Sequence, residues 1–367
     1  MTRLLIVDDS PLMRRLLTEI FTHAGEFEIE AARSGQEAID LLHRFAPQVI
    51  TLDIHMPGMD GLQCLDRIMV ERPTPVVMIS ALTAEGADET LEAMALGAID
   101  FVGKPRGPIS IEIEGMTGLL IEKIRAAAQA RISRTTRLAE RVRLRTAGLA
   151  GSHKPRRRPV PTAPPPVAKP SPERSGAEGL VIIGTSTGGP AALDVVLGGL
   201  PVDFPWPVVV AQHMPATFTG ALARRLDRFC ALRVVEVARS EPLVPGTIYI
   251  GRGDADMLIS RRGDTLIALA APRAPDLHWH PSVDRLVASA MRNIAPERLI
   301  GVLMTGMGND GAKTMAELAK NGGHTIAEAA ETAVIWGMPG ALVEAGGADH
   351  VLPLDAIATK LNALMGT

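Results

Sequence analysis

The sequence predicts an α/β chain: an N-terminal (βα)5 body, a Pro-rich linker, and a C-terminal doubly wound body with a mainly parallel sheet and a β-hairpin insertion. Three observations predict it. Short apolar runs alternate with helix-length amphipathic segments in the first third, prolines crowd residues 155–172, and the chain then reopens with an apolar run, a Gly-rich turn and a helix. At 367 residues it exceeds one ordinary domain.

The first body follows the alternation closely. Leu4 to Val7 leads to a helical stretch over 11–24, Phe27 to Ala31 to 34–45, Val49 to Leu52 to 59–71, and Val76 to Ile79 to 84–96, with Ile99 to Val102 closing the series. Five runs joined by four crossovers predict a parallel sheet. Over 116–147, Leu119, Leu120, Ile124, Ala127, Ala128, Ile132 and Leu138 recur at helical spacing, so a long helix leaves this body. Between Arg131 and Arg174 lie twelve Lys/Arg against two Asp/Glu, a balance of +10 that leaves −13 for the rest of a chain whose net charge is −3. Prolines 155, 159, 161, 164, 165, 166, 170 and 172 sit in that stretch almost without large apolar side chains, which predicts an extended linker. The domains are therefore 1–130, a basic, Pro-rich linker over 131–178, and 179–367. In the last, Leu180 to Ile183, a helix to about Leu197 and Val208 to Ala211 are followed by a hairpin-like zone over 233–269, then Leu299 to Met304 and a further helix.

Composition excludes several classes. Hydrophobic content of 46% with 22% charged residues is that of a globular chain, and Cys64 and Cys230 are too few and too far apart for a disulfide scaffold. No Cys/His cluster has zinc-site spacing. No apolar run approaches the roughly 18 residues of a membrane span, and the N-terminus reaches acid within eight residues, so a cytoplasmic chain without membrane insertion is expected.

In a parallel sheet, polar residues at the carboxyl ends of strands face the ligand crevice. Asp8 and Asp9 follow the first run, Asp53 ends the third, Ser80 the fourth, and Lys104 the fifth. With strand order 2-1-3-4-5, three carboxylates converge and repel unless a divalent cation holds them, and Mg²⁺ is hard and oxygen-seeking. A carboxylate beside Mg²⁺ and a lysine can take a phosphoryl group. The plainer alternative is that each acid only caps a helix, but that does not explain their joint placement with Lys104.

Val7-Asp8-Asp9-Ser10, Leu52-Asp53-Ile54-His55-Met56-Pro57-Gly58-Met59-Asp60-Gly61, Ser80 and Gly103-Lys104-Pro105 together resemble a response-regulator receiver domain, of flavodoxin-like fold, over residues 1 to about 125. The resemblance implies Asp53 as phosphoacceptor, Asp8 and Asp9 as Mg²⁺ holders with it, Ser80 and Lys104 as phosphoryl contacts, Phe101 as an aromatic switch, and a histidine kinase as phosphodonor. It also implies a cis Lys104–Pro105 peptide.

The second half offers acyl-transfer chemistry. Ile183-Gly184-Thr185-Ser186-Thr187-Gly188-Gly189-Pro190 lies between a strand and a helix, with glycines that permit a tight turn exposing the Ser186 hydroxyl. A serine needs a base, itself oriented by an acid. His213, ending the run Val208 to Ala211 as Gln212-His213-Met214-Pro215, is the candidate base, and Asp310, in Met304-Thr305-Gly306-Met307-Gly308-Asn309-Asp310-Gly311, the candidate acid. A phosphate cradle is the alternative for such a turn, but neither G-x-G-x-x-G nor a P-loop lysine is present. Gly184 to Gly188 also satisfies the G-x-S-x-G elbow of α/β-hydrolases; that reading needs His324 or His350 in place of His213. His278 and His280 form an H-x-H pair without a third ligand, which favours a groove or capping role near Ser282 and Asp284.

Ile183 to Pro190, Gln212 to Ala216 with Phe218-Thr219, Pro245-Gly246 with Ile248-Tyr249-Ile250, Pro281-Ser282-Val283-Asp284, Leu303 to Gly311 and Trp336-Gly337-Met338-Pro339 resemble the catalytic domain of the chemotaxis protein-glutamate methylesterase (CheB) family, over residues 179 to about 365. Receiver plus this domain is that family's architecture. One departure falls at Gly251 to Met257, where Arg252 and Asp256 replace a proline and a histidine of the usual family pattern.

The resemblance implies hydrolysis of γ-glutamyl methyl esters on methyl-accepting chemoreceptors, release of methanol, and deamidation of receptor glutamines, with no cofactor for the hydrolysis. Backbone amides near Thr187 and Met307 are the oxyanion candidates. Regulation is expected through an intramolecular interface, the unphosphorylated receiver covering the Ser186 crevice. The competing output is nucleic-acid binding by the Arg-rich linker, which lacks aromatic stacking residues and is not favoured.

Overall fold

In a computed structural model the chain is described over residues 1–80, 83–104, 109–130 and 179–365. The linker expected over 131–178, the helical continuation to 147 and the Lys104–Pro105 peptide lie outside the described residues. What is described falls into two compact units, each with its own parallel sheet. No helix among the described residues is long and apolar enough to cross a membrane.

In chain order the first sheet and its helices are β1 (Thr2–Val7), α1 (Pro11–Ala24), β2 (Phe27–Ala32), α2 (Gly35–Arg44), β3 (Val49–Asp53), α3 (Gly61–Glu71), β4 (Val76–Ser80), α4 (Ala84–Leu96), β5 (Asp100–Gly103) and α5 (Ile109–Gln129). The strand order is β2-β1-β3-β4-β5, the expected one. Every residue of β3 and β4 is buried, as inner strands covered on both faces must be. Serine and aspartate punctuate the turns: Ser10, Ser34 and Asp60 cap α1, α2 and α3 by accepting from the amides of Met13, Glu37 and Gln63. Val7 pairs with Leu52, so the residues that follow β1 and end β3 meet at one edge of the sheet.

The second unit runs β6 (Leu180–Thr185), α6 (Gly189–Gly198), β7 (Val208–Gln212), α7 (Ala216–Phe229), β8 (Arg233–Val237), β9 (Glu241–Pro242), β10 (Thr247–Gly251), β11 (Asp256–Arg262), β12 (Thr265–Ala271), α8 (Val283–Met291), β13 (Leu299–Leu303), α9 (Ala312–Lys320), β14 (His324–Glu328), α10 (Met338–Glu344), β15 (His350–Leu352) and α11 (Leu354–Met365). Its seven strands are ordered β15-β14-β13-β6-β7-β10-β8 and pair in parallel. A separate antiparallel sheet, β11-β12-β9, holds the insertion.

The hairpin-like zone read over 233–269 is thereby corrected. Only β11 and β12 form a hairpin, whereas β8 and β10 belong to the main sheet and pair in parallel. β10 lies between β7 and β8 with all five residues buried, a burial that an exposed hairpin would not provide. Strands β14 and β15 extend the sheet beyond what periodicity indicated. The chain leaves β6 for β7 on one side and returns as β13 on the other, so the order reverses at β6. A crevice at such a switch point is where α/β sheets place ligands. Leu180, Ile182, Val209, Leu299, Leu303 and Met315 pack without solvent exposure in the core that holds these strand ends fixed.

Candidate active site

Ser186 is the first residue beyond β6. Its amide donates to Thr305 O at 2.9 Å, and the neighbouring Thr185 hydroxyl donates to the same carbonyl at 2.9 Å. Gly188 follows with φ of 79°, in the left-handed region, and is the N-cap of α6. From the other side the loop after β13 comes so close that a Cβ on Gly306 would lie 2.7 Å from Ser186 Cβ. Only glycine allows that approach.

The β6–β7 ladder carries the second residue. Thr185 pairs with Gln212, and the ladder runs one step further through His213 N to Thr185 O at 3.1 Å, which sets His213 beside the residue after Thr185. The buried Gln212 amide then ties both turns, donating to Ser186 O at 2.9 Å and His213 O at 3.1 Å. The imidazole meets Asp310 Oδ2 through Nε2 at 2.8 Å. Its other nitrogen, Nδ1, is buried with no hydrogen-bond partner.

Asp310 sits on the N-terminus of α8. Oδ2 accepts from Val283 N at 2.7 Å, and Oδ1 from Asp284 N at 3.0 Å and the Ser282 hydroxyl at 3.1 Å. Burial alone raises its pKa, but the bonds from His213 and from the Asp284 and Val283 amides outweigh it, so the carboxyl stays below its ordinary range. A carboxylate at a helix N-terminus is also favoured by the helix dipole. Trp279 lies nearly parallel to His213, with ring centroids 5.4 Å apart and planes 7° from parallel, and fixes the imidazole from a third direction.

The structure thus brings Ser186, His213 and Asp310 to one edge of one sheet, with the His213–Asp310 bond made and the serine–imidazole bond open. Catalytic bonds are often long before substrate arrives. Of the oxyanion candidates, Thr187 has its carbonyl fixed by the Thr305 hydroxyl at 2.8 Å, and Met307 follows the Gly306 contact with Ser186. His324 and His350 are the first residues of β14 and β15, at the edge opposite Ser186, so the α/β-hydrolase arrangement is not formed. His278 packs edge-on against Trp279, and Ser282 caps α8.

Sequence reasoning missed several supports. Thr305 holds the Ser186 turn through its carbonyl and its hydroxyl, and its own amide donates to Glu328 Oε2 at 2.8 Å. Glu328 is buried, with a pKa pushed up to about 7 by burial against the opposing bonds from Thr305 and Thr332. Its signal in sequence was only an acid after the short apolar pair Ile326-Ala327.

In the first unit Lys104 Nζ lies 2.7 Å from Asp53 Oδ2 and 3.3 Å from Asp8 Oδ2. Asp8, Asp9 and Asp53 offer ligand atoms all within 4.8 Å of one another. Asp8 Oδ2 is buried against the Lys104 ammonium, and burial, with the charge of Asp53, raises the Asp8 pKa despite Lys104. Burial disfavours the Lys104 ammonium as well, but Asp53 and Asp8 hold its pKa above the ordinary lysine value. Three carboxylates whose oxygens converge in this way fit a hard cation. Ser80 is buried at the end of β4, and its carbonyl accepts from Lys104 N at 2.6 Å. Phe101 is buried, with the Lys123 ammonium 5.4 Å from its ring centre.

An acidic pocket with a lysine in one body and a serine beside a histidine–carboxylate pair in the other define a class: a response regulator with a hydrolytic output. Residues 4–125 match the response regulator receiver domain, and residues 181–361 match the CheB methylesterase family. A protein-glutamate methylesterase/protein-glutamine glutaminase of Rhodopseudomonas palustris is 56% identical over 98% of this chain and 97% of its own length, and one of Rhodospirillum rubrum is 53% identical over 100% and 96%. The solved catalytic domain of Thermotoga maritima CheB methylesterase is 39% identical over 52% of this chain and 100% of that domain, with a TM-score of 0.50. The chain belongs to the CheB family of chemotaxis methylesterases.

Proposed function

We propose that Ser186, His213 and Asp310 hydrolyse γ-glutamyl methyl esters on methyl-accepting chemoreceptors and deamidate receptor glutamines, under control of phosphorylation at Asp53. The observation that carries this is the orphaned His213 Nδ1, buried on a turn that Gln212 ties to the Ser186 turn, while Nε2 is taken by Asp310. A buried nitrogen without a partner carries a desolvation cost that a serine hydroxyl or a leaving group in the crevice relieves. The ring is used in the opposite sense to the serine-protease arrangement, in which Nδ1 faces the acid.

Ser186 Oγ attacks the ester carbonyl as its proton passes to Nδ1, and Asp310 fixes the tautomer and balances the imidazolium. The bond to the methoxy oxygen breaks as Nδ1 returns the proton, and methanol leaves. Water, deprotonated by the same nitrogen, cleaves the glutamyl–serine ester and frees Ser186. With a glutamine substrate the leaving group is ammonia. The amides of Thr187 and Met307 receive the oxyanion; losing one such donor typically costs about 10²- to 10³-fold in rate.

In the receiver, Asp8, Asp9 and Asp53 would hold Mg²⁺, which neutralises charge during phosphoryl transfer. Asp53 takes the phosphoryl group from a histidine kinase, with Ser80 and Lys104 contacting it and Phe101 reporting the change. The domains are the receiver over 1–130, the linker over 131–178 and the hydrolase over 179–367, all in the cytoplasm. Labelled methanol released from methylated receptor membranes tests the reading. His213→Gln and Asp310→Asn should lower release by orders of magnitude, and a small phosphodonor should raise it in the wild type but not in Asp53→Ala. Unchanged release in both triad variants would refute the assignment.

A further inference from the structure

The residue at 256, where this chain departs from the usual family histidine, is fully buried. Asp256 Oδ1 accepts from Ser282 N at 2.8 Å and faces His280 Nδ1 at 2.9 Å. Oδ2 accepts from Ala274 N at 3.2 Å and from the Arg285 guanidinium, which also donates to Pro272 O at 2.9 Å. His280 Nε2 faces Leu277 O at 3.2 Å, so both ring nitrogens are engaged. Burial opposes the Asp256 charge, but bonds from His280, Ser282, Arg285 and Ala274 more than offset it, leaving the carboxyl below its ordinary range.

These contacts converge on the turn that holds Asp310. Ser282 receives Asp256 on its amide and gives its hydroxyl to Asp310 Oδ1, while the next two amides, Val283 and Asp284, also go to Asp310. The Arg285 amide closes the turn on Ser282 Oγ at 3.3 Å. Two buried carboxylates therefore grip consecutive amides of one helix N-terminus, one from β11 and one from the loop after β13, and Arg285 balances the first. Displacing Ser282 would displace three of the donors around Asp310 and, through Nε2, the imidazole.

We propose that Asp256 is a positioning residue for hydrolysis: with His280 and Arg285 it locks the first turn of α8, which aims Asp310 and hence His213 Nδ1 at Ser186. The proposal rests on the triad reading above. It assigns a role to the Asp256 departure, whose partners His280 and Arg285 lie more than twenty residues away in sequence. Asp256→Asn keeps the shape but turns an amide NH₂ toward donors that in the native chain meet a carboxylate oxygen, so the turn loses its grip.

The test uses the full chain and methylated receptor membranes, with kcat, KM and thermal unfolding measured for Asp256→Asn, His280→Gln and Ser186→Ala. The expected result is a fall in kcat of about 10- to 100-fold for Asp256→Asn and a smaller fall for His280→Gln, with KM within about threefold of wild type and a cooperative unfolding transition retained; supporting-shell losses at metal centres are of this size. If Asp256→Asn does not fold, His280→Gln decides. A kcat within twofold of wild type in the folded variants overturns the role of Asp256 while Ser186→Ala remains inactive, whereas activity in Ser186→Ala would overturn the triad itself.

Discussion

At the scale of single residues, the proposed catalysis depends on which imidazole nitrogen carries the proton. With Nε2 bonded to the Asp310 carboxylate at 2.8 Å, the neutral ring must hold its proton there, leaving the Nδ1 lone pair for the Ser186 hydroxyl. Nitrogen NMR of ¹⁵N-histidine-labelled protein should show His213 in the Nε2–H tautomer, and a proton on Nδ1 would contradict the arrangement. Ser186, His213 and Asp310 were legible in the sequence because each directly follows an apolar run or sits in a Gly-rich loop beyond one. Gln212, Thr305 and Trp279 were not, because their roles come from cross-strand pairing and loop packing, which no local pattern records. Asp256 was visible only as a departure, since His280 and Arg285 reach it across the fold.

At the scale of elements, Glu328 at the end of β14 links stability to pH. Its folded-state pKa, about 7, exceeds its ordinary value of 4.5, so the folded chain binds that proton more tightly than the unfolded one. The resulting penalty is absent below about pH 4.5, grows as pH rises toward 7 and is complete above it, with an upper bound of about 3 kcal/mol at 1.36 kcal/mol per unit. Glu328→Gln keeps an acceptor for Thr305 N and a group to meet Thr332, so its melting temperature relative to wild type should rise between pH 5 and pH 8. A constant difference across that range would show that Glu328 does not titrate. β1, β3 and β4 stood out because inner parallel strands are continuous apolar runs between Asp, Ser and Gly turns. β8 and β10 are parallel neighbours joined by only residues 238–246, a connection so short that it reads as a hairpin; β9, within it, turns aside to pair with β12. β15 has three residues and β14 begins with two polar ones, too little pattern to stand out.

At the scale of the whole molecule, the chain joins a receiver domain to a methylesterase domain in separate bodies. If the receiver restrains the hydrolase, a chain beginning near Gly179 should release methanol faster than the unphosphorylated full-length protein. The Thermotoga maritima catalytic domain, whose full length this chain covers, was solved on its own, which makes the comparison practicable. Equal rates would remove the restraint and leave phosphorylation to act another way. The two-body plan was the most legible feature of all, because prolines and charge separate the halves in composition before any motif is considered.

The most direct measurement of the central claim is the rate of labelled methanol release by Ser186→Ala against the wild type, both full length and both shown to accept phosphate at Asp53. Loss of a nucleophilic serine should lower the rate by at least about 10⁴-fold. Release by the variant within tenfold of wild type, with the receiver intact, would mean that the ester is cleaved without this serine and that the catalytic assignment is wrong.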